Sequence, residues 1–271
     1  MDIIYSILAG IIQGLTEFLP VSSSGHLVLF HDFLNFDLPD DLAFDVVLHL
    51  GTLFALVVFF WKEVWQLVSA WLQSFARWDL KNNDNQRLAW YLFAATIPAA
   101  LAGYFLESLI ETIFRSSAIV AVMLIVVGIL LYLADQYFSK AKDFSQLNLS
   151  NALIIGVAQV IALIPGVSRS GITIIAGLSQ KLNRQAAAHF AFLLAMPIVF
   201  GAGLKKVSDL VIERSGDLDY LILTLGFLSS AITGYFCIKY FLRFLQSHSL
   251  KAFAVYRIVL GVIILIILML Q

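Results

Sequence analysis

The sequence is poor in charge, nearly empty of cysteine and sparing with proline. Asp, Glu, Lys and Arg make up 13% of its 271 residues, about half the share of a soluble domain. A soluble enzyme of this length needs a water-facing surface that so few charges do not provide. One cysteine, Cys237, excludes an intramolecular disulfide framework and a cysteine-based metal cage. The 17 Lys and Arg are balanced by 18 Asp and Glu, which leaves no basic surplus for nucleic acid. The start, Met1-Asp2-Ile3, lacks the basic region and small-residue cleavage site of a secretory signal. What is abundant is apolar: 61% of residues are hydrophobic and mean hydropathy is +0.91. These values predict an all-α polytopic membrane protein with a single membrane domain over residues 1–271. The apolar stretch Ile258–Leu270 leaves no room for a soluble tail.

A spanning helix needs about 20 apolar residues. Six stretches qualify, near 41–61, 88–106, 117–137, 186–204, 218–238 and 252–270. Two further apolar segments are interrupted. Ile3–Leu19 breaks at Pro20-Val21-Ser22-Ser23-Ser24-Gly25-His26 and resumes as Leu27–Phe36. Ala152–Ile164 breaks at Pro165-Gly166-Val167-Ser168-Arg169-Ser170-Gly171 and resumes as Ile172–Leu182. Broken backbone at membrane depth must be covered by protein or line a wet cavity. Both segments therefore read as re-entrant helical hairpins with polar tips.

The tips repeat each other. At an offset of 146, Gly10/Gly156, Gln13/Gln159, Val21/Val167, Ser22/Ser168, Ser24/Ser170 and Gly25/Gly171 are identical pairs. Each hairpin precedes three spans. Three is odd, so the second half enters the membrane inverted. The expected plan is an inverted-topology repeat, about 1–137 and 146–271, with its site at the repeat interface on broken helices.

Loop charge sets the orientation. Lys62, Arg77, Lys81, Arg87, Lys140, Lys142, Lys181, Arg184, Lys239, Arg243 and Lys251 fall on one side, and Arg115, Lys205, Lys206 and Arg214 on the other. The richer side is cytoplasmic by the positive-inside rule, so both termini and the acidic connection 37–41 face outward. All five tryptophans lie between Trp61 and Trp90, which reads as an amphipathic interfacial segment with an aromatic belt.

Ionisable groups at membrane depth cost about 2.5–3.5 kcal/mol each on insertion scales, so each needs a reason. Glu17, His26 and Arg169 lie in or beside the tips. Gln13 and Glu17 are spaced i, i+4 and share a helix face, where they can offer oxygen ligands to Mg²⁺ or Ca²⁺. The plainer alternative is that Glu17 neutralises Arg169. Ser22-Ser23-Ser24 and Ser168-Arg169-Ser170, with Thr173, open helices after proline turns. Free N–H groups, hydroxyls and a guanidinium there suit a phosphate or diphosphate. The plainer alternative is N-capping by the serines, which leaves Arg169 unexplained. Elsewhere the bland readings lead. Asp45 and His49, also i, i+4, start the first full span, where Asp45 can reach the site from its outer end, but a packing or capping role reads at least as well; His189 reads as an interfacial polar residue. His31 and His248 read as ends or loops, Pro98 and Pro197 as kinks, and Arg257 as a snorkelling or paired residue without an assigned partner.

The run from Gln13 to His26 resembles the first signature of bacterial undecaprenyl-diphosphate phosphatases of the bacitracin-resistance type. The run from Pro165 to Thr173 is similar to their second signature, and the likeness extends over the whole chain, including Phe44–Thr52. The resemblance implies a multi-pass enzyme of the bacterial cytoplasmic (inner) membrane, with its site facing outward. It implies hydrolysis of a polyprenyl diphosphate lipid, undecaprenyl diphosphate, to the monophosphate, which recycles the carrier for peptidoglycan synthesis and confers bacitracin resistance. It also implies a divalent cation, Mg²⁺ or Ca²⁺. In that family the position of Gln13 is Glu or Gln, and Gln removes one charge from the cation site. A different lipid-phosphatase class pairs a Ser-Gly-His element with Ser-Arg-x5-His, but the corresponding position here is Ile175.

On this reading Arg169 clamps phosphate, and Ser22, Ser24, Ser168, Ser170 and Thr173 complete the cradle. Glu17, with Gln13, holds the cation. Three nucleophiles fit the residues: Ser23 activated by His26, His26 itself, or a water activated by His26. The competing class is a lipid-phosphate flippase using the same anion site, since inverted repeats with broken helices are common in transporters.

Overall fold

The computed structural model describes residues 2–34, 41–114, 116–138, 140–213 and 219–270. Among them every long element is an α-helix: α1 (Asp2–Thr16), α2 (Ser23–Leu34), α3 (Asp41–Phe59), α4 (Trp61–Ser74), α5 (Asp84–Phe114), α6 (Ser117–Tyr137), α7 (Leu149–Ile161), α8 (Arg169–Ser179), α9 (Arg184–Glu213), α10 (Tyr220–Phe244) and α11 (Lys251–Leu270). The connection at 35–40, Arg115 and Arg214 lie outside the described residues, as do the side chains of His31, Asp41 and Lys206.

Five segments are long and apolar enough to cross a membrane: Asp84–Leu106, Ser117–Tyr137, Arg184–Lys205, Tyr220–Phe244 and Lys251–Leu270. The sixth expected span is α3, which passes as one unit with α4, from which it is bent by 87°. After the bend, α4 leaves Trp61, Trp65, Val68 and Leu72 exposed along one stripe while Leu67, Ala70 and Ser74 are buried. That is the amphipathic segment read from the tryptophans. Its far end is held to α5 by Trp90, whose indole N–H donates to Ser74 Oγ at 3.0 Å.

The interrupted segments form two broken pairs, α1/α2 and α7/α8. The first arms have 15 and 13 residues, so they rise only about 20 Å at 1.5 Å per residue, short of a bilayer core. Each packs on a long helix from the other part of the chain: α1 on α10, and α7 on α5. The approach is close because the facing residue is glycine. A Cβ on Gly10 would stand 2.6 Å from the carbonyl oxygen of Gly226, and one on Gly156 would stand 2.7 Å from Cα of Ala95. Helix α3 lies against α9, and α6 against α11.

One end of the bundle is gathered by a buried acid. Asp135, near the end of α6, accepts from Arg184 at 2.5 and 3.2 Å and from the Leu250 N–H at 3.0 Å. It thereby joins the end of α6 to the starts of α9 and α11. Beside this end His189 is bonded to Glu63 at 2.8 Å and stacked between Phe60 and Phe144. Pro98 and Pro197 lie within α5 and α9, which continue through them as single helices.

Because the arm contacts leave no space, Gly156→Leu should separate α7 from α5. Overpacking of this kind costs about 1–3 kcal/mol. The expected result is a lower thermal unfolding midpoint in detergent than for wild type, with a smaller effect from Gly156→Ala.

Candidate active site between the two helix tips

The breaks after α1 and α7 have the same local form. Each helix ends one turn before a proline, and each second arm opens at a serine in the left-handed region, Ser22 at φ 78° and Ser168 at φ 74°. Such a backbone costs on the order of 1 kcal/mol or more for a residue with a Cβ and gathers at functional sites. Each serine is an N-cap: Ser22 Oγ accepts from Gly25 N–H at 3.2 Å, and Ser168 Oγ from Gly171 N–H at 3.0 Å. Gly166, at φ +90°, makes the turn of the second tip, where a Cβ would strike the Val120 carbonyl oxygen at 2.7 Å.

The tips are bound to each other at their deepest points. Ser170 Oγ donates to the Leu19 carbonyl at 3.0 Å. Arg169 forms an ion pair with Glu17. Arg257 of α11 is fully buried. Its guanidinium donates to Pro20 of the first tip at 3.0 Å, to Gly166 and Val167 of the second at 2.7 and 3.0 Å, and to Met123 and Leu124 of α6 at 3.4 Å each. The acid partner open to Arg257 in the sequence is therefore replaced by five carbonyl oxygens.

Glu17 is the centre of the site. Its carboxylate is 6% exposed and the Arg169 side chain 19%. One oxygen, Oε1, meets Arg169. The other, Oε2, accepts from Ser23 Oγ at 2.6 Å and from Gln13 Nε2 at 2.9 Å, with His49 Nε2 at 3.7 Å. His49 is oriented by its Nδ1, 2.8 Å from the Asp45 carbonyl. Gln13, Glu17, Ser23 and Arg169 are thus in one cluster, as their positions in the tips foretold, and His49 joins them.

Two expectations change. Ser23 was expected to pair with His26, yet it donates to Glu17. His26 is turned away: Nδ1 lies 2.7 Å from the Ser22 carbonyl and Nε2 lies 2.8 Å from the Tyr256 hydroxyl. Its ring stacks on Tyr256 at 5.8 Å between centroids, 8° from parallel. The reason is helical geometry, since a ring at i+4 reaches the carbonyl at i. The phosphate cradle changes as well. The hydroxyls of Ser22 and Ser168 cap helices, Ser170 bridges the tips, and Thr173 donates to the Arg169 carbonyl at 2.7 Å. Ser24 stands 3.4 Å from Ser22 Oγ. Buried helix starts must satisfy their own amides, and the hydroxyls of Ser22 and Ser168 do so.

Gln13 and Glu17 offer oxygen atoms of the kind a divalent cation takes. Gln13 Oε1 is buried with no hydrogen-bond partner and sits on the residue that bonds Glu17. One amide oxygen and one carboxylate are hard donors. No group of three or more His, Cys, Asp or Glu able to hold a metal occurs among the described residues, so ligand oxygens and water must complete the shell, as is usual for Mg²⁺.

The architecture and the site define a class: an integral helical membrane protein that presents a carboxylate, a hydroxyl and a guanidinium between two broken helices. The profile of the family described as bacitracin resistance protein BacA matches residues 6–263, and the chain belongs to that family. It is 44% identical to an undecaprenyl-diphosphatase of Teredinibacter turnerae over 98% of this chain and 99% of the relative. It is 43% identical to one of Rubrobacter xylanophilus over the full length of both. It is 44% identical to undecaprenyl-diphosphatase 1 of Pseudoalteromonas translucida over 97% of each.

Sequence reasoning missed Tyr256 and gave Arg257 no partner. A buried arginine without a nearby acid is itself a signal that carbonyls must serve it, but only the fold says which. Removing the guanidinium orphans buried carbonyls at about 1–3 kcal/mol each. Arg257→Ala should therefore lower the unfolding midpoint by more than any single tip serine variant. Thermal unfolding of Arg257→Ala and Ser168→Ala side by side checks this order.

Proposed function

We propose that this chain is an undecaprenyl-diphosphatase, an integral membrane hydrolase that converts undecaprenyl diphosphate to undecaprenyl phosphate and inorganic phosphate. The observation that carries the reading is the Ser23–Glu17–Arg169 constellation between the tips, in a chain whose full-length relatives bear that name. The product is the lipid carrier of peptidoglycan synthesis, and its recycling accounts for the link to bacitracin in the family's description.

The residues divide the work as follows. Ser23 Oγ attacks the terminal phosphorus, and its proton passes to Glu17 Oε2, 2.6 Å away. The bridging P–O bond breaks and undecaprenyl phosphate leaves. Water then cleaves the phosphoserine and restores Ser23. Proton arrival on Glu17 removes the charge that holds Arg169, which frees the guanidinium to take phosphate oxygens as charge develops on them. The amides at the starts of α2 and α8 add oriented dipoles. Gln13 and Glu17 would hold a divalent cation, which supplies charge neutralisation for the diphosphate. Attack by water oriented by Glu17, with no covalent intermediate, is the alternative outcome of the Ser23 test.

The layout that supports this is six spans, α3 included, and two re-entrant pairs in an inverted repeat, 1–137 against 146–271. The matched tips and the exchange of partners, α1 with α10 and α7 with α5, support it. Loop charge supports an orientation with the termini and the site on the outer face of the bacterial cytoplasmic membrane. No observation favours a flippase over hydrolysis.

Phosphate release from a long-chain prenyl diphosphate by detergent-purified protein, with and without EDTA, is the test. Wild type should release phosphate only with Mg²⁺ or Ca²⁺. Glu17→Ala and Arg169→Ala should each lower turnover at least about 100-fold, in keeping with loss of a transition-state contact. Full turnover in either variant refutes the assignment, and unchanged turnover in Ser23→Ala removes the serine route. Gln13→Glu adds a charge beside Glu17, so it should lower the metal concentration needed for half-maximal release.

A further inference from the structure

The mechanism assigns no part to Tyr256, yet its hydroxyl is hydrogen-bonded to His26 and its ring stacks on the imidazole. We propose that Tyr256 is a positioning residue for His26. With the Ser22 carbonyl holding the imidazole as the Nδ1–H tautomer, the Tyr256 hydroxyl covers the Nε2 lone pair, which directs activation of Ser23 to Glu17. This inference rests on the phosphatase reading for its kinetic consequence, but its structural content stands apart from it.

The argument is one of donors and acceptors. Nδ1 of His26 lies 2.7 Å from the Ser22 carbonyl. A carbonyl only accepts, so Nδ1 carries the proton. In the neutral ring Nε2 is then an acceptor, and the group that meets it at 2.8 Å is a phenol, which donates. Near-parallel stacking, 8° between planes, holds the ring on its second axis. Both contacts depend on where α11 lies, and that is set one residue away by Arg257, bonded to both tips. Ser23 meanwhile has its own acceptor at 2.6 Å. With Nε2 covered, the only base aimed at Ser23 is Glu17.

The test uses the purified full chain. Tyr256→Phe keeps the stacked ring and removes the donor. The rate at which diethylpyrocarbonate modifies His26, read by peptide mass spectrometry, should rise at least threefold, because the lone pair is uncovered. His248, exposed and remote, is the internal reference. Nitrogen-15 labelling of histidine in wild type should show His26 protonated at Nδ1. In the phosphate assay Tyr256→Phe should lower kcat about tenfold with KM changed less than twofold, and Tyr256→Leu, which also loses the stack, should lower it further. An Nε2–H tautomer in wild type overturns the proposal, as does an unchanged modification rate in Tyr256→Phe with an unchanged unfolding midpoint. If Tyr256→Phe fails to fold, the labelled wild type decides alone. A wild type that releases no phosphate refutes the phosphatase reading and leaves the labelling result to judge the contact.

Discussion

The two helix tips stay together because the guanidinium of Arg257 is bonded to both. It is fully buried, and among the described residues no carboxylate forms an ion pair with it. Desolvating such a charge is expensive unless acceptors replace water. Backbone carbonyls released by broken helices are acceptors already at membrane depth, and they are equally in need of donors. Cation and broken backbone therefore satisfy each other. Take either away and the other becomes an unpaired polar group in a low-dielectric interior. The site residues inherit their spacing from this arrangement, since Glu17 lies three residues before Pro20 and Arg169 two after Val167, both of which hold Arg257.

Within that frame the chemistry is crowded onto one carboxylate. Glu17 faces a guanidinium with one oxygen and a serine and an amide with the other. A carboxylate so engaged is held in one rotamer, ready for its partners without further ordering. The same engagement makes the resting pair with Arg169 a closed state. The ion pair and the anion clamp are thus not rival explanations of Arg169. In the proposed mechanism they are two stages of its use, separated by the proton that Glu17 accepts.

Much of this was legible in the sequence, and the reason is the membrane. A charge that would be unremarkable in a soluble protein stands out at bilayer depth, which is how Glu17, His26 and Arg169 were found. The repeated Gly, Gln and Ser positions marked both tips, and the glycines prove to be the contact points of the first arms. What could not be read was orientation of side chains. Spacing put Ser23 near His26, but helical geometry sends the ring of His26 back to the Ser22 carbonyl. Serines that suit an anion cradle suit an N-cap equally well, and burial chose the cap. The 87° turn after α3 was visible only as a cluster of tryptophans. Tyr256 left no trace, because a tyrosine in an apolar helix has no periodic or charge signature.

The exchange of partners between the two parts of the chain bears on how the protein is made. Helix α1 packs on α10, which lies more than two hundred residues later. During synthesis the first broken pair emerges long before the helix that covers its close-packed glycine face. Its tip cannot rest in lipid meanwhile, because its carbonyls wait for Arg257, which emerges later still. On the proposed re-entrant layout the nascent hairpin is sheltered by the insertion machinery, or stays at the water interface, until nearly the whole chain has been translated. Assembly is then a late, concerted event, and a chain truncated before α11 should be a substrate for membrane quality control even though most of its spans are already inserted.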